Sequence, residues 1–255
     1  MIEVIRQEIN AQYLYRNVNS IFMTASCSIP NTTSLHVAEV VLSYPNALTV
    51  LNRYSIDYCC GGKRSLKEAC DKVGLNADTV WDEIVHGRNN GNSYLSRFTT
   101  WQAPLLVDYI LQNHHAYVKE VIPQLQELLD KVCSVHGEDH IALAEVRDDF
   151  NDLAEELLTH MQKEEKILFP AIKKGSQNAL TIVGPISVME DEHEHAGDLM
   201  KSIRQLTNHY TVPRDACPTF QVTYKKLEEF DQDLMQHIHL ENNILFEKVK
   251  DNLLQ

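Results

Sequence analysis

Helical periodicity dominates this chain. In SLHVAEVVLSYP, beginning at Ser34, apolar residues recur every three or four positions until Pro45, which suits the first turn of a following helix, PNALTVLNRY. A loop, SIDYCCGGKR, leads into Ser65-Leu66-Lys67-Glu68, a capping-box pattern in which Ser65 and Glu68 satisfy free backbone donors at a helix start. That helix stops at Gly74, and Asn76 caps another through Trp81 to His86. Residues 34–86 therefore read as a small helical domain containing cysteines. Residues 87–100, GRNNGNSYLSRFTT, are rich in Gly, Asn and Ser and read as a linker; residues 1–33 read as a leader to which the pattern assigns no structure. Within residues 101–255 four long helical segments follow, about 102–133, 139–173, 178–208 and 216–252. They break at Gly137, at Gly175 and at Thr211-Val212-Pro213-Arg214. The expected fold is all-α, an antiparallel four-helix bundle preceded by a small helical domain.

Composition narrows the classes of function. Hydrophobic residues make up 44% and charged residues 23%, with 9 Gly and 8 Pro, as in a folded globular chain. The formal net charge of −13 argues against nucleic acid, whose phosphates call for a basic face. No apolar run reaches the roughly 18 residues a membrane span requires. Glu3 and Glu8 interrupt the first ten residues, which do not read as a signal peptide, so a cytoplasmic location is expected. Most of the acidic excess lies beyond residue 95, where 15 Lys/Arg face 27 Asp/Glu. A solvated surface accounts for most of those carboxylates, but any that face inward would need a cation. The 6 cysteines do not suggest a disulfide framework; Cys27, Cys70, Cys133 and Cys217 are isolated and read as packing residues.

The candidate chemistry lies in an internal near-repeat. His160 to Phe169 and His237 to Phe246 both read H-x-x-x-E-x-x-I-L-F. Positions i and i+4 share one helical face, and the Ile-Leu pair continues near that stripe, so His160, Glu164, His237 and Glu241 point toward the core. On the intervening segments, Leu111, Val118 and Ile122 place His115 inward and His114 away. Val188, Met189, Ala196 and Met200 place His193 inward, with His195 toward the side or solvent. Four imidazoles and two carboxylates are a ligand mix for non-haem iron, manganese or zinc. They suit a pair of ions, each with two nitrogens and two oxygens, with positions left for an oxo bridge or an exogenous ligand. Iron fits best, because such sites gain function from redox change; zinc fits the ligands alone. His36, His86, His136, His140 and His209 read as surface or capping residues, and Tyr109 as core packing.

These segments resemble a known family. HMQKEEKILFPAIKKG, GPISVMEDEHEHAGDL and DLMQHIHLENNILFE are similar to the hemerythrin-like domain of the repair-of-iron-centres proteins. LNRYSIDYCCGGKRSLKEAC resembles that family's small N-terminal domain, and the likeness runs from about Ser34 to the C-terminus. It implies that His115, His160, Glu164, His193, His237 and Glu241 bind two non-haem iron ions, oxo- and carboxylate-bridged, with Glu164 and Glu241 as the bridges. It further implies a cytoplasmic bacterial protein, a homodimer, that restores iron–sulfur clusters damaged by nitric oxide or peroxide. Its partners would be the damaged iron–sulfur proteins and nitric oxide or another small diatomic ligand. Restoration would proceed by nitric oxide binding and reductase-type redox chemistry, or by iron donation. Two departures stand out: Glu247 follows ILF where relatives often have Pro, and His195 and His239 are extra imidazoles beside the ligand positions, open to a ligand or supporting role.

Cys59-Cys60-Gly61-Gly62 precedes the capped helix. Its glycines permit unusual backbone angles or close approach of another group. Lys63, Arg64 and the helix N-terminus favour thiolate. A disulfide between adjacent residues is strained, so a resting dithiol is expected. Cys59 and Cys60 are the candidate catalytic pair, for thiol chemistry or transient handling of iron or nitrosyl groups. The competing functional reading is an oxygen or nitric oxide carrier or sensor, which the bundle alone would permit and which has no need of this loop. A metal-free bundle is the third.

Overall fold

The computed structural model describes residues 35–87, 94–176 and 178–253, and the regular elements among them are all helices. Four short helices come first: α1 (Val37–Ser43), α2 (Ala47–Arg53), α3 (Leu66–Lys72) and α4 (Ala77–His86). Ser65 and Glu68 form the expected capping box on α3, and Asn76 caps α4 through the backbone of Asp78 and Thr79. Pro45 lies in the turn before α2, whose N-cap is Asn46, so that helix starts two residues later than its proline suggests. The expected leader, residues 1–33, lies outside the described residues, as does Cys27. Part of the expected linker is ordered helix: Tyr94–Thr100 forms a 3₁₀ segment that buries Leu95 and Phe98. Phe98 packs edge-on against Trp101 and at a tilt against Tyr109, so two apolar residues in a polar stretch suffice to anchor it.

Four rods form the bundle. The first comprises α5 (Ala103–Tyr109), a π-helical turn (Ile110–His115) and α6 (Ala116–His136). The second comprises α7 (Ala142–Lys163), a π turn (Glu164–Leu168) and α8 (Phe169–Lys173). The third is α9 (Ala179–Leu206), and the fourth joins α10 (Pro218–Leu240), a π turn (Glu241–Leu245) and α11 (Phe246–Leu253). Neighbouring rods pack first on second, second on third and first on fourth. Gly175, at φ +66°, supplies the left-handed residue that closes the second rod, and Asn178 caps the third. Buried side chains form one continuous core from Val37 to Val249, so the small helices and the bundle share it. Among the described residues no helix is long and apolar enough to cross a membrane.

The π turns correct two expectations of facing. Each inserts one residue per turn and rotates the residues beyond it about the helix axis. His114, expected to face away, is buried beside His115, because the turn Ile110–His115 is wide enough to admit both. Ile167 is 59% exposed while Leu168 takes the inward position. Val188 also faces outward, leaving Met189, Ala196 and Met200 to define the buried side of α9.

Candidate metal centre

Six side chains from the four rods meet at one place, three of them in the π turns. His115 ends the first, while Glu164 and Glu241 open those of the second and fourth rods, one helical turn beyond His160 and His237. His193 comes from the middle of α9. All six are buried, both glutamates at 0% exposure. They fall into two sets of four, His115/Glu164/His237/Glu241 and His160/Glu164/His193/Glu241, whose donor atoms lie within 4.8 Å of one another. Glu164 and Glu241 belong to both.

The separations are those of ligands around ions. Glu164 Oε2 is 3.3 Å from His115 Nε2 and 3.4 Å from His160 Nε2. Glu241 reaches His237 Nε2 through Oε1 at 3.0 Å and His193 Nε2 through Oε2 at 3.1 Å. Donors bound at about 2.1 Å to one metal lie roughly 3.0–3.4 Å apart. Three imidazoles are held from behind. His115 Nδ1 bonds to Glu165 at 2.8 Å, His160 Nδ1 to Glu192 at 2.8 Å, and His193 Nδ1 to Asn242 at 2.8 Å. Each then donates through Nδ1 and turns the lone pair of Nε2 inward.

Two observations test whether this donor set fits a cation. His160 Nε2 and His193 Nε2 lie 3.0 Å apart, so two lone pairs face each other unless positive charge lies between them. Both oxygens of Glu164 and one of Glu241 are buried without a hydrogen-bond partner, a costly state for ionised carboxylates. The residues fit a cation pair. When only protons are available, the imidazoles take up that charge. Burial lowers the proton affinity of His115 and His160, but Glu164 and Glu241 outweigh it, raising their pKa values to about 10 and about 9. Burial likewise opposes ionisation of Glu241, yet His237, His115 and His193 hold its carboxyl well below the usual range.

Residues 106–249 match the hemerythrin HHE cation binding domain, and residues 33–87 match the ScdA_N domain, described as a domain of unknown function. Iron-sulfur cluster repair protein YtfE of Enterobacter sp. (strain 638) is 38% identical over 210 residues, covering 82% of this chain and 94% of the relative. YtfE of Escherichia coli O81 (strain ED1a) is 38% identical over 213 residues, with the same coverage. The chain belongs to the YtfE family.

The remaining histidines separate clearly. His195 is exposed and pairs with Glu156 at 2.7 Å. His239 is fully buried but belongs to neither set: its ring lies against Tyr58, it donates to the Tyr58 carbonyl, and burial pushes its pKa down to about 4. It fastens the bundle to the small helices. His114 bonds to Asp233 at 3.0 Å and stacks on His237, whose Nδ1 has no hydrogen-bond partner among the described residues. Sequence spacing gave no signal for the outer group Glu165, Glu192, Asn242 and His114, since none shares the i, i+4 register of the near-repeat.

The cysteine loop lies against this centre. Cys60 Sγ donates to the His193 carbonyl at 3.3 Å, and Asn243 donates to the Cys59 carbonyl at 3.0 Å. A Cβ on Gly62 would meet Asn243 Oδ1 at 2.5 Å, so close approach, with no left-handed backbone, is what that glycine provides. Thiolate is not favoured at Cys59 as the charges in the sequence suggest. Lys63 pairs with Glu247 and Arg64 with Asp57, and the neighbouring Cys60, burial and Asp57 push the Cys59 thiol well up. Among the described residues Cys217 has a lowered thiol pKa, about 7, held there by backbone donors at the start of α10 and by His136, 3.2 Å away.

Proposed function

We propose that this chain binds two iron ions through His115, His160, Glu164, His193, His237 and Glu241, and repairs iron–sulfur clusters damaged by nitrosative or oxidative stress. The observation that carries the reading is the pair of four-residue sets sharing two buried, otherwise unpartnered carboxylates. Imidazole and carboxylate in this number suit non-haem iron, and relatives named as iron-sulfur cluster repair proteins align over 82% of the chain. Bound iron would supply redox change and open coordination positions for nitric oxide, or would itself be the cargo passed to a damaged cluster.

The protein's own residues do the rest. Glu165, Glu192 and Asn242 fix the tautomers of three imidazoles, and Glu164 and Glu241 hold the two sets at a common separation. A cavity of about 400 Å³ between α7 and α9, bordered by His160, Lys163, Glu192 and His193, leads in from solvent on one side. The cysteine loop touches the same helix through Cys60 and the His193 carbonyl, which favours repair over a simple carrier: a carrier has no use for a dithiol docked on its ligand helix. In this reading Cys59 and Cys60 act in thiol exchange with damaged clusters, residues 34–86 and 101–255 act as distinct modules, and the protein works in the cytoplasm. A homodimer rests on the family resemblance alone.

Anaerobic iron loading followed by metal analysis tests the centre. About two irons per chain are expected, falling to one or none in Glu164→Ala/Glu241→Ala, with an optical spectrum that changes on adding nitric oxide. Less than one iron per chain would overturn the assignment. Recovery of a nitric oxide-damaged iron–sulfur enzyme tests repair; equal recovery with and without the protein would refute that function.

A further inference from the structure

Met235 brings a third sulfur to the cysteine pair. Cys59 Sγ lies 3.6 Å from Cys60 Sγ and 3.4 Å from the Met235 thioether, which projects from α10 of the bundle. Cys59 and Met235 are buried and Cys60 is partly exposed. Asp57, Cys59 and Cys60 place one donor atom each within 4.8 Å of one another. The Asp57 carboxylate accepts the backbone N–H groups of Cys59, Cys60 and Gly61 at 2.8–3.0 Å, which sets the loop so that adjacent cysteines turn their sulfurs to the same side. Neighbouring residues on a strand would point theirs apart. A disulfide at this position requires closing the sulfur gap to about 2.05 Å. A metal ion bound about 2.3 Å from each sulfur spans a gap of 3.6 Å at roughly a tetrahedral angle.

From this geometry we infer a second metal site in the protein, at the junction of the small helices and the bundle, with Cys59, Cys60 and Met235 as its sulfur donors and a single thiophilic transition-metal ion as its ligand. Two thiols and a thioether select soft or borderline ions over the hard ones that carboxylates and water hold. Binding is balanced by release of the two thiol protons to solvent. Cys59, Cys60 and Met235 all line one cavity of about 750 Å³ that opens to solvent. The cavity's lining carries both signs of charge, Arg64, Lys72 and Lys201 beside Asp57, Glu194 and Asp198, and it leaves room for an exogenous ligand in the remaining coordination position. The site deepens the role proposed for the cysteine loop without depending on the histidine–carboxylate centre, and either can fail alone.

Cobalt(II) distinguishes them, because only sulfur ligation yields an intense thiolate-to-metal charge-transfer band and the bundle centre offers nitrogen and oxygen alone. Anaerobic titration of the reduced full-length chain with cobalt(II) is expected to develop that band to saturation within three equivalents, since the histidine–carboxylate centre can take up two. Cys60→Ser should abolish it, Met235→Leu should weaken binding several-fold, and Cys217→Ser should leave it unchanged. No band, or a band that survives Cys60→Ser or disappears in Cys217→Ser, would overturn the site. A second measurement needs no variant: three equivalents of zinc, enough to fill the histidine–carboxylate centre as well, should slow alkylation of both Cys59 and Cys60, read by peptide mass spectrometry. Unaltered alkylation of that pair would also refute it.

Discussion

On the proposed ligand assignment, the two sets of the metal centre are unequal, and the inequality can be measured. In the His160/His193 set both imidazoles are held through Nδ1, by Glu192 and Asn242. In the His115/His237 set only His115 is held so, by Glu165, while the Nδ1 of His237 has no such partner among the described residues. Removing an outer hydrogen-bond partner of a ligating histidine typically costs 10–100-fold in metal affinity, about 1.4–2.7 kcal/mol. Glu165 and Glu192 are 28% and 31% exposed and share their charge with Lys119 and Lys163, so solvent screening favours the lower end, roughly tenfold. Wild-type protein titrated with a competing chelator should therefore lose metal in two steps, the weaker from the His115/His237 set. Glu165→Ala should weaken that first step about tenfold and widen the gap between steps. Glu192→Ala should weaken the second step by a similar factor and bring the two together. Stepwise dissociation constants from metal analysis, with circular dichroism as a check on folding, decide the matter. Equal shifts of both steps in both variants would refute the reasoning, as would no shift in either.

Buried charge has two further measurable consequences. In metal-free protein the pKa values of His115 and His160 are raised to about 10 and about 9, so their contribution to stability is complete below about pH 6.5 and is lost as pH rises through those values. The melting temperature of metal-free chain should fall between about pH 7 and pH 10, and that of metal-loaded chain should fall less; parallel profiles would contradict this. Elsewhere, Arg204 makes a bidentate pair with Asp231, one bond at 2.7 Å, and Tyr210 also donates to Asp231. Asp231→Ala leaves a mostly buried guanidinium unpaired and should cost about 3–5 kcal/mol in denaturant unfolding; a loss below about 1 kcal/mol would show the pair to be relaxed by solvent.

The near-repeat was legible because helix geometry turns spacing into direction. His and Glu four residues apart, followed by an apolar pair, fix a face without knowledge of the partner helix, and that logic brought Glu164 and Glu241 to the same point from separate rods. It failed at His114 and Ile167 for one reason. Both lie in π turns, where one added residue changes the angular count, and nothing in ILQNHH or EEKIL marks that insertion in composition. Each π turn abuts a proposed ligand, as though the wider turn were the means of bringing side chains from adjacent positions into the core. The cysteine loop departs from its sequence reading for another reason. Lys63 and Arg64 are adjacent in sequence, but their partners Glu247 and Asp57 come from the fourth rod and from the loop's own start, and the charge expected to activate Cys59 is neutralised there. Met235 could not be identified at all: an isolated methionine on a helix carries no pattern, and only the fold sets its sulfur 3.4 Å from a cysteine 176 residues away. Local spacing thus reveals chemistry built along one helix, while chemistry built where two units meet depends on docking, which a single sequence does not encode in any short-range signal.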